Sequence, residues 1–127
     1  MKLIIILLSF SSLIFANINM RITQNSNFSS LTQKEISDVY LGKRTTIKGV
    51  KIIPLDDDNY YTEFYQKIVK KNPKQLRAYW IGEMSKSKRK PPKKFTHAEI
   101  ESMIQKNYIF ISYSSRVLTK SKKLDIK

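Results

Sequence analysis

The sequence predicts one small α/β domain, in which a small mixed sheet is flanked by about four helices. Segments with strand and helix patterns follow one another in the order strand, helix, strand, three helices and strand, which is typical of a layered α/β fold. A chain of 127 residues has room for a single domain. It contains no cysteine, so the hydrophobic core must stabilise this domain without disulfides.

The first sixteen residues have the features of a secretory signal peptide. Lys2 supplies the positive charge, an apolar stretch begins at Leu3, and the small Ala16 suits a cleavage site. The alternative is an uncleaved membrane anchor, but serines interrupt the apolar run, which is shorter than the ~20 residues that span a bilayer. We therefore expect residues 1–16 to be removed and residues 17–127 to form a periplasmic or secreted domain without a transmembrane segment.

The chain carries a strong positive charge. It has 24 Lys and Arg against 10 Asp and Glu, a formal net charge of +14. Such a charge predicts long-range attraction to anionic partners and does not bear on the fold.

The mature chain opens with a predicted strand over residues 17–23. Ile18, Met20 and Ile22 alternate with polar neighbours, which is the two-residue period of a half-buried strand. The Asn- and Ser-rich residues 24–30 then form a predicted loop.

The first helix has the clearest local signals in the sequence. Thr32 and Glu35 have the spacing of a capping box, and Leu31 and Ile36 have that of the accompanying hydrophobic staple. Gly42 is predicted to end the helix, because glycine readily adopts the left-handed conformation.

A short apolar strand, residues 50–54, is predicted to follow and to end at Pro54. Asp56, Asp57 and Asp58 come next, before apolar residues with helical spacing that begin at Tyr61. These carboxylates could bind a hard cation. Because aspartates at a helix N-terminus also complement the helix dipole, we expect them to cap the second helix.

A third helix is predicted from Asn72, a cap residue, and Pro73 at the first helical position. Its predicted buried stripe consists of Leu76, Tyr79, Trp80, Ile81 and Met84. Residues 85–94, with sequence SKSKRKPPKK, are predicted to form a solvated basic loop.

Thr96 and Glu99 repeat the capping box and predict a fourth helix, with Ile100 on its inner face. His97, the only histidine, is expected to be an exposed residue of the first turn. Residues 108–113, YIFISY, form the most apolar predicted strand and should lie centrally in the sheet. An edge strand is expected at residues 117–118 or 124–126.

Part of this pattern resembles the periplasmic phosphate-binding-protein-like family, the solute receptors of phosphate ABC transporters and their short relatives. The resemblance rests on SSLTQKEISDVYLGKRTT, with PKQLRAYW and NYIFISY further along, and covers about residues 19–113. It implies a single lobe of the type II periplasmic-binding-protein-like fold. It also implies a non-enzymatic protein, an accessory or degenerate receptor lobe, with an ABC transporter as partner and phosphate or another small anion as ligand.

The chain departs from this family at the anion-binding segment. DDDNYYT stands where the receptors have a Ser-Gly-Thr motif, so that only Thr62 matches and carboxylates would repel an anion. The remaining candidates lie in the loop before the first helix, where the alternative is that they serve as turn and capping residues. The anion-binding candidates are Asn25, Ser26, Ser29, Ser30 and Thr62. No residue pattern indicates catalysis, a cofactor or a metal site.

A second function is predicted from the basic loop. It would bind an anionic polymer, a membrane surface or a protein of the cell envelope, although a solvated run of charge explains it equally simply. Nucleic acid is not expected, because the chain is predicted to leave the cytoplasm. The residues of this candidate are Lys86, Lys88, Arg89, Lys90, Lys93 and Lys94.

Overall fold

A computed structural model describes residues 18–127 of the chain. The predicted signal peptide therefore lies outside the described residues. The described strands, in chain order, are β1 (Asn19–Thr23), β2 (Ser30–Leu31), β3 (Thr46–Ile47), β4 (Val50–Pro54), β5 (Asp56–Asp57), β6 (Lys94–Phe95), β7 (Ile109–Ser114), β8 (Ser121–Lys123) and β9 (Asp125–Ile126). The described helices are α1 (Gln33–Tyr40), α2 (Tyr61–Phe64), which continues as a π-helix (Tyr65–Val69), α3 (Pro73–Ser87) and α4 (His97–Ile104).

The main sheet is mixed and has five strands in the order β3-β4-β7-β1-β8. The neighbours β4 and β7 are parallel, whereas β1 is antiparallel to both β7 and β8. Two short parallel pairs, β2 with β9 and β5 with β6, lie outside this sheet. The predicted α/β class, the mixed sheet and the central position of β7 are confirmed.

Alternate residues of β7 supply the two faces of the sheet. Ile111 and Tyr113 belong to a large core that contains side chains of α1, the π-helix and α3. Phe110 belongs to a smaller core with Ile100 and Ile104 of α4. This two-residue alternation places α1, the π-helix and α3 on one face of the sheet and α4 on the other.

Three helix starts agree with the sequence. Thr32 and Thr96 each accept a hydrogen bond from the backbone N–H of the glutamate three residues on, at 3.0 and 3.3 Å. Asn72 caps α3 in the same way through Gln75. Gly42 follows α1 with a φ of +70°, as its role in ending that helix requires.

The predicted cap of the second helix is wrong. Asp56 and Asp57 form β5 instead, with both side chains fully buried, and the residue that precedes α2, Tyr60, makes no side-chain cap. The physical reason is a long-range one, because β5 pairs with β6, almost forty residues further along the chain.

The predicted buried stripe of α3 is only partly correct. Leu76 and Trp80 are buried and Tyr79 packs against the core, whereas Ile81 and Met84 are exposed. The helix also extends to Ser87, so that the predicted basic loop begins later than expected.

The C-terminal tail forms its edge strand at β8, which lies between the two predicted positions. Leu118 is buried in the smaller core without being in a strand, and Val117 is exposed. The other predicted position, residues 124–126, contributes β9 and pairs with β2. Within residues 18–127, no helix is long and apolar enough to cross a bilayer.

Candidate functional site

The carboxyl ends of the parallel strands β4 and β7 lie side by side. In open α/β sheets, the crevice beyond such strand ends is the usual place for a ligand. Asp57 and Tyr60 follow β4, and Ser115 follows β7. The Tyr60 and Ser115 hydroxyls form a hydrogen bond, which joins the two chain segments at this edge.

Asp56 is a buried carboxyl group at this end of the sheet. Its two oxygens accept hydrogen bonds from the hydroxyls of Tyr113, at 2.8 Å, and Tyr65, at 3.0 Å. Burial raises the pKa of Asp56 to about 7, although both hydrogen bonds and the charge of Lys94 act to lower it. This carboxyl group therefore exchanges its proton near neutral pH.

Asp57 is also buried, but its carboxylate is only half satisfied. One oxygen accepts a hydrogen bond from the backbone N–H of Asn59 at 2.8 Å, and the other has no partner within residues 18–127. Burial raises the pKa of Asp57, while the Asn59 bond and the nearby His97 and Arg116 oppose that shift. The pair of buried carboxyl groups makes this edge unfavourable for an anion.

His97 is less exposed than the sequence predicts. Its side chain is 18% exposed and its Nε2 lies 3.2 Å from a carboxylate oxygen of Glu101. Its Nδ1 is buried and has no hydrogen-bond partner in the described part of the chain. Residues 18–127 nevertheless bring no three potential metal ligands of the His, Cys, Asp or Glu type together.

A cavity of about 390 Å³ lies at the opposite end of the sheet, where β1 ends and β4 and β7 begin. The loop that follows β1 forms one wall of this cavity. Thr23, the last residue of β1, is held to β7 because its hydroxyl accepts a hydrogen bond from the backbone N–H of Phe110 at 2.9 Å. The cavity is lined by Asn25, Ser26, Asn27, Phe28, Lys48, Val50 and Ile109. No carboxylate is among these described lining residues.

The five anion-binding candidates do not form one site. Asn25 and Ser26 line this cavity. Ser29 is exposed and its backbone oxygen accepts from Asp125, while Ser30 lies in β2. Thr62 is exposed on α2, which follows β5 at the carboxyl edge of the sheet, and it does not line this cavity.

Ser26 has a structural part in the loop as well. Its hydroxyl accepts a hydrogen bond from the backbone N–H of Phe28 at 3.0 Å, and its carbonyl oxygen accepts from the ammonium group of Lys122. Ser26 is therefore a turn residue, which is the alternative to anion binding that the sequence left open. Asn25 and Lys48 remain as exposed polar side chains on the cavity wall.

The six basic candidates differ in their surroundings. Arg89 donates hydrogen bonds to the carbonyl oxygen of Gly42 and to the carboxylate of Glu83, and so ties the segment to the end of α1. The other five are exposed, with Lys86 in α3 and Lys94 in β6. This basic segment, residues 85–94, is thus held at Arg89, and its lysines are exposed.

The cavity includes residues that no sequence motif indicates. Lys48 and Asn27 each belong to a turn without a distinguishing pattern. Asn27 lies in the loop after β1 and Lys48 in the turn before β4, and each of these two strands pairs with the distant β7. Because Asn27 and Lys48 lie far apart in the sequence, no local sequence pattern predicts that both line one cavity.

The described residues form an α/β domain whose fold is similar to that of one lobe of a periplasmic binding protein, as the sequence resemblance predicts. A particular solved structure with this fold is that of a phosphate ABC transporter substrate-binding protein with bound phosphate from Clostridium perfringens. The TM-score is 0.61 and the sequence identity is 22%.

The match covers 86% of this chain and 44% of that protein, so the chain spans less than half of its length. At this identity the similarity establishes the fold alone. No protein-family model matches the sequence, and a comparison with curated proteins finds no match.

Proposed function

We propose that this protein is exported and acts as a substrate-binding-like lobe for a small anion, with phosphate as the first ligand to test. It would be non-enzymatic and would serve as an accessory or degenerate receptor lobe associated with an ABC transporter. The observation that carries the proposal is the cavity lined by Asn25, Ser26 and Lys48, on a fold similar to one lobe of a phosphate-binding protein.

The composition of the cavity favours an anion. Lys48 supplies a positive charge, and the amide groups of Asn25 and Asn27 supply hydrogen-bond donors. No acidic residue of the described chain lines the cavity, so an anion entering it meets no direct repulsion. The carboxyl edge, with Asp56 and Asp57, is the poorer place for the same ligand.

The proposed location of the protein follows from two features. The fold is similar to that of a substrate-binding protein. The sequence of residues 1–16 has the charge, apolar stretch and small residue of a signal peptide. Together these support a periplasmic or secreted protein.

The test is a calorimetric titration of inorganic phosphate into the purified protein at low and moderate salt, with sulfate as comparator. We expect saturable binding of one phosphate per chain with modest salt dependence, and at least a fivefold loss of affinity in Lys48→Gln. The matched control is Lys51→Gln, which neutralises an exposed lysine on β4 outside the cavity. No phosphate heat, or equal affinities of the two variants, would overturn the proposal.

A second candidate function is attachment to an anionic envelope component through the basic segment. It is supported by the anchoring of Arg89, which holds the exposed lysines around it in place. The probe is polyglutamate in the same titration, and we expect affinity that falls steeply with salt. Lys88→Gln with Lys90→Gln should weaken it, whereas Lys106→Gln, at an exposed lysine elsewhere, should not. Equal polyglutamate affinity in all of these variants would show that the basic segment is not the binding site.

A further inference from the structure

A groove of about 460 Å³ runs between α3 and residues 91–94, away from the proposed anion cavity. Trp80 and Leu76, both buried, belong to its lining together with Pro91. Its full lining consists of Tyr61, Thr62, Pro73, Leu76, Arg77, Trp80, Ile81, Met84, Pro91 and Lys94.

Two large apolar side chains of this groove are exposed to solvent. Ile81 is 62% exposed and Met84 is 51% exposed. Residues three apart on a helix are neighbours on its surface, so the two form one continuous apolar patch on α3. Exposed apolar patches of this kind in a groove are typical of interaction sites.

The rim of the groove is positively charged. Arg77 lies on α3, and Lys94 lies opposite with its ammonium group 4.0 Å from the centre of the Tyr61 ring. No acidic residue of the described chain lines the groove. Glu83, the neighbour of Met84 in sequence, has its carboxylate bound to Arg89 and so does not neutralise this charge.

We propose that this groove docks an acidic segment of a partner protein that also carries large apolar side chains. The apolar anchors would contact Ile81, Met84 and Trp80, and the acidic residues would face Arg77 and Lys94. A second copy of this chain is disfavoured as the occupant because each copy carries a net charge of +14. A bilayer surface is disfavoured because the apolar residues line a concave groove. Docking here is independent of anion binding at the other end of the sheet.

The test uses Trp80, the only tryptophan in the chain, as a fluorescence reporter inside the groove. The probe is a synthetic peptide in which glutamates alternate with pairs of leucine. We expect a saturable change in Trp80 fluorescence and a loss of affinity of at least tenfold in the double variant Ile81→Ser, Met84→Ser. The control is Val117→Ser, because Val117 is a more exposed apolar residue that does not line the groove.

Further probes separate charge from apolar contact. A peptide with the leucines replaced by serine, and one with the glutamates replaced by lysine, should each bind at least tenfold more weakly. The proposal is overturned if the serine peptide binds equally well, if the control variant loses as much affinity as the double variant, or if the probe peptide does not bind. It is equally overturned if phosphatidylglycerol vesicles, and not the peptide, bind in a manner that depends on Ile81 and Met84.

Discussion

Asp56 is the residue whose surroundings depart most from those of a typical aspartate. Its side chain is fully buried and is held by two tyrosine hydroxyls, which belong to the π-helix and to β7. Hydrogen bonds to the charged form lower a carboxyl pKa, whereas burial raises it. Burial prevails here and brings the pKa from its usual 3.8 to about 7.

This shift predicts that the protein becomes less stable as the pH rises. Between pH 3.8 and about 7, folded Asp56 keeps a proton that the unfolded chain has lost. The free energy of unfolding should therefore fall across this window, by up to about 4 kcal/mol, and then level off. Asp56→Asn, which has no proton to exchange, should show a much smaller decrease. Urea unfolding at several pH values measures the free energy of unfolding of both proteins.

The control for this prediction is Asp58→Asn, at an exposed neighbour, which should keep the pH dependence of the original chain. Tyr113→Phe should extend the decrease above pH 7, because it removes a hydrogen bond that favours the charged form. The same slope in Asp56→Asn as in the original chain would show that Asp56 is not its source.

At the scale of secondary structure, the helix starts are governed by local contacts. The capping boxes at Thr32, Asn72 and Thr96 each join residues only three positions apart. For that reason the sequence predicts them correctly. The prediction for the start of α2 is wrong. Asp56 and Asp57, which were expected to cap this helix, instead form β5 and pair with the distant β6.

Removal of one cap tests the contribution of these local bonds. Thr32→Ala should lower the free energy of unfolding by about 1 kcal/mol, because the backbone N–H of Glu35 loses its acceptor. Chemical denaturation measures the change. Thr119→Ala, at an exposed threonine outside any helix, is the control and should have a much smaller effect. An unchanged stability in Thr32→Ala would mean that solvent replaces the cap.

For the molecule as a whole, β7 joins two cores. Ile111 and Tyr113 face the larger one, and Phe110 faces the smaller one, which also contains Leu118. Because one strand contributes to both cores, we expect the described domain to unfold as a single cooperative unit.

A substitution that leaves a cavity in the smaller core tests whether the domain unfolds as one unit. Leu118→Ala should lower the free energy of unfolding by about 2 to 5 kcal/mol, because Leu118 is fully buried. Far-UV circular dichroism and Trp80 fluorescence should report the same lowered midpoint, although Trp80 lies in the larger core. Two separate midpoints would contradict the expectation, and Val117→Ala, at the exposed neighbour, is the control.

The overall arrangement also divides the candidate functions between separate places. The polar cavity with Lys48 lies where β4 and β7 begin. The buried carboxyl groups lie where the same strands end, and the apolar groove lies beside α3. Variants at Lys48 and at Ile81 should therefore act independently, since sites far apart without shared partners have additive effects.

The sequence by itself determined the α/β class, the caps of α1, α3 and α4, and the central strand β7. Each of these depends on a local spacing or on an apolar run that a single segment carries. Only the tertiary structure decided that Asp56 is buried, that Ile81 and Met84 are exposed, and that Ser26 and Thr62 lie at opposite ends of the sheet. These outcomes depend on which distant segments pair and pack together, and the spacing of residues along the chain does not encode that in any local pattern.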